Sequence, residues 1–139
     1  MTSQKIPSPS STSGHQKTTK KLSRTFKQGD IVKIPFPFSD DPTITKGRPA
    51  LVISKGHITA PGDKIADVLW VVMLTSDTPG KLAFEGDVKL SAYTAAGLDN
   101  PTIVRPAKLA ALDTRFAEFK GSIKGAKLEE VLNFIRSRI

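Results

Sequence analysis

Three clusters of polar side chains stand at the ends of apolar runs, and their residue types suit an anion. Arg48 precedes the run Pro49-Ala50-Leu51-Val52-Ile53-Ser54. Its guanidinium is always charged and offers five donors in a planar fork that matches phosphate. Thr75 and Ser76 stand where Val71-Val72-Met73-Leu74 stops, and Thr102 and Arg105 lie in Pro101-Thr102-Ile103-Val104-Arg105. Two arginines with several hydroxyls describe a phosphate pocket, with arginine as fork and hydroxyl as secondary donor. Each cluster alone has a plainer reading. A strand-end arginine is commonly a surface ion pair, and a Thr-Ser pair commonly caps a turn.

The elements that must position these side chains are mostly strands. Asp30 to Phe36 alternates, with Ile31 and Lys33 on one face and Val32 and Ile34 on the other. Pro35 and Pro37 suit the end of a strand, because proline cannot donate to a ladder. Ser39 to Gly47 and Lys55 to Lys64 read as loops. Ala50 to Ser54 reads as a short central strand. Asp67 to Thr75, rich in β-branched residues and bounded by turn chemistry at Asp77 to Gly80, is the strongest strand signal. Asp87 to Leu90 is a shorter one, and a helical turn fits within Leu90 to Leu98. Thr102 to Arg105 and Lys108 to Leu112 read as two strands broken at Pro106. In Leu128 to Ile139 the apolar residues Leu128, Val131, Leu132, Ile135 and Ile139 share one helical face. Several short strands and one terminal helix predict a mainly β, strongly bent barrel-like sheet.

Composition narrows the function classes. The 139 residues fit one domain plus a tail, and no cysteine is present, which excludes disulfides and thiolate metal sites. No apolar run reaches the roughly 18 residues of a membrane span. The net charge of +8 is uneven. Residues 1–27 carry six basic residues and no acidic one, leaving 15 basic and 13 acidic residues, or +2, for the rest. The high isoelectric point therefore describes the tail more than the body. The tail, rich in Ser, Thr, Pro and Lys, reads as a disordered arm. An RNA-tethering role and a targeting role are the alternatives. The domain proper is expected over residues 28–139.

The ordered set GDIVKIPFPF, KGRPALVIS, VVMLTS and PTIVRPAKLAALD resembles the PemK/MazF family of toxins, from about Gly29 to the C-terminal helix. The resemblance implies a small SH3-like barrel with an added helix, assembled as a homodimer and cytoplasmic. It implies a metal-independent endoribonuclease, needing no cofactor, that cuts single-stranded mRNA at short sequences. It also implies a cognate antitoxin, acidic in the segment that crosses the cleft. Carried over by position, the catalytic set is Arg48, Thr75, Ser76 and Arg105. Lys46, Thr102, Asp77 and His57 are the further RNA-binding candidates. Asp113 falls in the tail of the final family motif and reads as structural.

The chain departs from the family at one position of chemical weight. PemK-like members carry an aspartate two residues after the second arginine, assigned as general base; here that position is Ala107. A histidine that some members carry in the loop before the first arginine is also missing. A positioned base contributes ~10²–10⁴-fold, whereas charge stabilisation by arginine is often the larger effect. Asp77 and His57 are the substitute bases. Two other readings stay open: an attenuated member that binds RNA or antitoxin without cutting, and a CcdB-like poison of a topoisomerase.

Overall fold

The computed structural model describes residues 25–35, 47–62 and 64–139. Lys46, the loop before Gly47 and the tail through Arg24 lie outside them. Six strands follow in order: β1 (Asp30–Pro35), β2 (Gly47–Val52), β3 (Val68–Ser76), β4 (Val88–Leu90), β5 (Thr102–Asp113) and β6 (Glu118–Ser122). A 3-10 turn over Thr114–Phe116 separates β5 from β6, and helix α1 (Ala126–Arg136) ends the chain. All pairings are antiparallel, in the spatial order β4-β5-β3-β2-β1-β6.

The alternation expected in β1 is realised, and both of its faces are buried. Ile31 joins Leu51, Val72, Leu74 and Val104 on the face that α1 covers. Val32 and Ile34 join Ala50, Val52, Leu69 and Val71 on the other, with Phe26 packed among them. Helix α1 contributes Val131 and Leu132 to the first cluster, with Leu128 and Ile135 beside them. Burial of each such side chain is worth about 1.5–3 kcal/mol. The helix ends earlier than the periodicity suggested, at Arg136, and Ile139 is 97% exposed beyond it.

Phe26 corrects the expected domain boundary. It belongs by sequence to the polar tail, yet it is 2% exposed. Its backbone N–H donates to His57 Nε2 at 3.0 Å and its ring stacks on the imidazole. The folded unit therefore starts before residue 28.

Two irregularities bend the sheet. The β1–β6 register shifts between Ile31 and Val32, and the β3–β5 register shifts between Val72 and Met73. The second shift sets Pro106, Ala107 and Lys108 outside the ladder, so one long bulged strand replaces the two expected there. A bulge sharpens local twist and bend. The bend brings the chain after β4 against β6. A Cβ built on Gly121 would lie 2.1 Å from the Ala96 carbonyl oxygen, and one on Gly97 would lie 2.1 Å from that of Lys120. Glycine permits this backbone-on-backbone contact, which curls the sheet into a half-barrel.

Candidate functional site

The chains of β2 and β3 bring their polar ends to one end of the sheet. Ala50 pairs with Met73, and Met73 pairs with Arg105. Side chains alternate along a strand, so Arg48, Thr75 and Arg105 share one face. Sequence reasoning grouped these three, and the register groups them too. Their situations differ. Arg48 is exposed, and no carboxylate among the described residues lies within ion-pairing distance of it.

Thr75 is already engaged. Lys81 Nζ donates to Thr75 Oγ1 at 2.8 Å. The lysine arrives on the turn Thr78-Pro79-Gly80-Lys81, closed by Lys81 N–H on the Thr78 carbonyl at 3.2 Å. Gly80 has φ of 80°, and proline then glycine at the two central positions is the signature of a type II turn.

Arg105 departs from the expected role of open anion clamp. It is 6% exposed. Its Nε and Nη2 donate to the two Asp87 carboxylate oxygens at 3.1 and 2.9 Å, and Nη2 also donates to the Leu82 carbonyl at 3.0 Å. The Phe84 ring covers it at 4.4 Å. The fork that was to hold a phosphate holds the segment between β3 and β4.

Ser76 turns the other way from Thr75, as alternation requires. It pairs directly with Thr102. Both line a cleft of about 320 Å³ with Lys33, Lys120, Asp99 and Asn100, and Thr75 reaches its rim. The hydroxyl of buried Thr102 donates to the Asn100 carbonyl at 2.8 Å. The contact of Gly97 with Lys120 closes this cleft, so the same close approach that curls the sheet builds its wall.

The remaining candidates divide. Asp77 lies at this end, with its carboxylate 3.9 Å from Lys89 Nζ. His57 does not. It follows β2 at the end opposite Arg48, with a strand of roughly 3.3 Å per residue between them. Its Nε2 accepts from Phe26 and its Nδ1 faces Asp67 at 3.4 Å, so the ring ties the N-terminal segment to the sheet. Ala107 stands in the β5 bulge, four residues beyond Ile103, the partner of Thr75. It borders a different cavity, with Phe84, Glu85 and Phe134. Asp113 has the structural role expected of it. It caps the 3-10 turn, and the side-chain hydrogen bond from Arg115 holds its carboxyl below the ordinary value of 3.8. Lys33, Lys81, Asp99, Asn100 and Lys120 were missed. Only Lys81 had a local signal, the Pro-Gly turn directly after β3.

Among the described residues no group of three or more His, Asp or Glu could hold a metal ion. None of their helices is long and apolar enough to cross a membrane.

A half-barrel of six antiparallel strands with a C-terminal helix is the fold the motifs suggested. Residues 27–138 match the family model for the PemK-like, MazF-like toxins of type II toxin–antitoxin systems, and the chain belongs to that family. No match was found among curated protein sequences. Solved structures share the fold. MazF from Deinococcus radiodurans superposes with a TM-score of 0.58 at 21% identity, over 84% of this chain and 97% of that one. A MazE–MazF structure from the same organism gives 0.56 at 21% identity, over 84% and 96%. The Mycobacterium tuberculosis toxin MazF-mt6 gives 0.50 at 17% identity, over 78% and 93%.

Proposed function

We propose that this toxin is an endoribonuclease that cleaves single-stranded RNA without a metal, at the end of the sheet where Arg48 and Thr75 meet. The observation that carries the reading is an exposed guanidinium, with no carboxylate partner among the described residues, on the same face as a threonine hydroxyl and beside a polar cleft of about nucleotide size.

The ribose 2′-hydroxyl loses its proton and attacks the adjacent phosphorus. The bond from phosphorus to the 5′-oxygen breaks, the 5′-oxygen takes a proton from solvent, and a 2′,3′-cyclic phosphate remains. Arg48 stabilises the charge gathering on the phosphorane oxygens. A guanidinium with a pKa above ~12 is an electrostatic clamp rather than a proton donor. Thr75 adds a hydroxyl donor. With Ala107 in place of the family's base, the carboxylate assigned to the 2′-hydroxyl proton is Asp99. It lines the cleft beside Ser76 and has no cation partner among the described residues. Asp77, by contrast, sits beside Lys89.

The test is cleavage of a long single-stranded transcript in EDTA, with the new ends analysed. Wild type is expected to leave cyclic-phosphate ends. Arg48→Ala is expected to lower kcat/KM by about 10²–10³-fold, and Asp99→Asn to lower kcat by about 10²-fold or more. Intact RNA after long incubation with wild type ends the enzymatic reading. A retained gel shift would then favour the second one, binding without cutting, to which Ala107 points.

An antitoxin with an acidic segment suits the cations of this rim, Arg48, Lys33, Lys81 and Lys120. A homodimer is part of the same proposal. Trp70 and Leu109, both exposed, lie on one face of β3 and β5 and offer apolar area for a second copy. Sedimentation of wild type against Trp70→Ser measures it.

A further inference from the structure

The segment between β3 and β4 is short, and three separate features hold it over the Thr75 face. The turn Thr78-Pro79-Gly80-Lys81 reverses the chain directly after β3, with Gly80 in the left-handed region that the turn demands. Arg105 then pins the following residues through the Leu82 carbonyl and the Asp87 carboxylate. Asp87 closes its own turn by accepting the Phe84 N–H at 3.0 Å. Between these anchors Lys81 is fixed with its ammonium 2.8 Å from Thr75 Oγ1.

An ammonium has three donors and no acceptor, whereas a threonine hydroxyl has one donor and two lone pairs. Lys81 therefore occupies a lone pair of Thr75. The hydroxyl hydrogen cannot point back at Lys81 and is left to donate outward. A charged donor into an oxygen also polarises that oxygen's own O–H bond, which strengthens the hydrogen bond it gives. We propose that Lys81 is a positioning residue of the RNA-cleavage site. It fixes the rotor of Thr75 so that the hydroxyl donates to a non-bridging oxygen of the scissile phosphate, and the Arg105–Asp87 pair is the hinge pin that delivers it. The proposal rests on the endoribonuclease reading above. It gives Arg105 a part in the chemistry without contact with RNA, and it makes Lys81 a cation that no motif had singled out.

The experiment compares wild type, Lys81→Met, Lys81→Arg, Thr75→Val and the Lys81→Met/Thr75→Val double variant on an RNA oligonucleotide spanning a cleavage site mapped for the wild type. Thermal melts check that the exposed substitutions leave the fold intact. Lys81→Met is expected to lower kcat by about 10- to 100-fold while changing KM by less than about 3-fold. Lys81→Arg, which keeps a charged donor, is expected to recover most of that loss. In the Thr75→Val background, Lys81→Met is expected to cost less than about 3-fold more, because the hydroxyl it positions is gone. A Lys81→Met protein within about 2-fold of wild type overturns the proposal and leaves the endoribonuclease reading standing. Full additivity of the two losses also overturns it, since Lys81 would then act independently of Thr75. No cleavage by wild type overturns both.

Discussion

Arg48 and Arg105 occupy comparable places in sequence and opposite ones in the fold. Arg48 is exposed and has no carboxylate partner among the described residues, so its loss removes a charge and little packing. Arg105 is buried against Asp87 with side-chain exposures of 7% and 11%, so removing it leaves a buried carboxylate without its partner. Breaking such a pair costs roughly 3–5 kcal/mol, a large part of a domain's total stability of about 5–15 kcal/mol. Arg105→Ala is therefore expected to lower Tm by many degrees, and Arg48→Ala to leave it within about a degree or two. Equal melting temperatures for the two would refute the structural role of Arg105. At this scale Arg48 and Thr75 were legible, because a strand end and a residue type suffice to mark them. The Arg105–Asp87 pair was not. The partners lie 18 residues apart, and only the β4–β5 ladder brings them together. The turn that carries Lys81 was readable from Pro79 and Gly80, but its return onto Thr75 depends on that hidden pair.

Among the elements, β6 escaped the sequence reading for a physical reason. Its residues, Glu-Phe-Lys-Gly-Ser, are largely exposed and show no apolar alternation. What places it is pairing with β1 and the contact of Gly121 with Ala96. The central strands were legible because each buries one or both faces. Pro106 was read as a break because it lacks an N–H, and the bulge absorbs that defect while β5 continues past it. The glycine contact makes a sharp prediction. Gly121 needs no left-handed backbone, so Gly121→Ala is a purely steric change. Its methyl meets backbone at 2.1 Å, and one edge of the half-barrel must move. Overpacking of this kind costs about 1–3 kcal/mol. Because Lys120 and Gly97 share the contact and line the cleft, the variant is expected both to melt earlier and to bind an uncleavable 2′-O-methyl RNA more weakly. Unchanged melting and binding would show that the edges can separate freely.

At the scale of the whole molecule, the charge is concentrated before Gln28, while the buried core already includes Phe26. Of the net charge of +8, residues 1–27 carry +6 and the residues from Gln28 onward only +2, as the sequence already showed. On the proposed endoribonuclease reading, steering of RNA to the rim is expected to depend on the few local cations and on the tail. Deleting residues 1–24 removes Lys5, Lys17, Lys20, Lys21 and Arg24 and keeps the buried Phe26 with its His57 contact. That truncation is expected to leave Tm and kcat unchanged. The dependence of RNA affinity on salt is expected to become shallower, by up to about 3.5 in the slope of log K against log salt if all five cations meet phosphates of a single strand. Deleting residues 1–27 is a different experiment. It removes a 2%-exposed phenylalanine and the N–H that His57 accepts, at a cost of about 3–5 kcal/mol from the aromatic ring alone. Paired melts and salt titrations of the two truncations separate the parts. A stable 28–139 fragment would move the boundary back to where composition alone had put it. An unchanged salt slope for the 25–139 fragment would show that the tail adds nothing to RNA binding, leaving Arg48, Lys33 and Lys120 to hold the substrate alone.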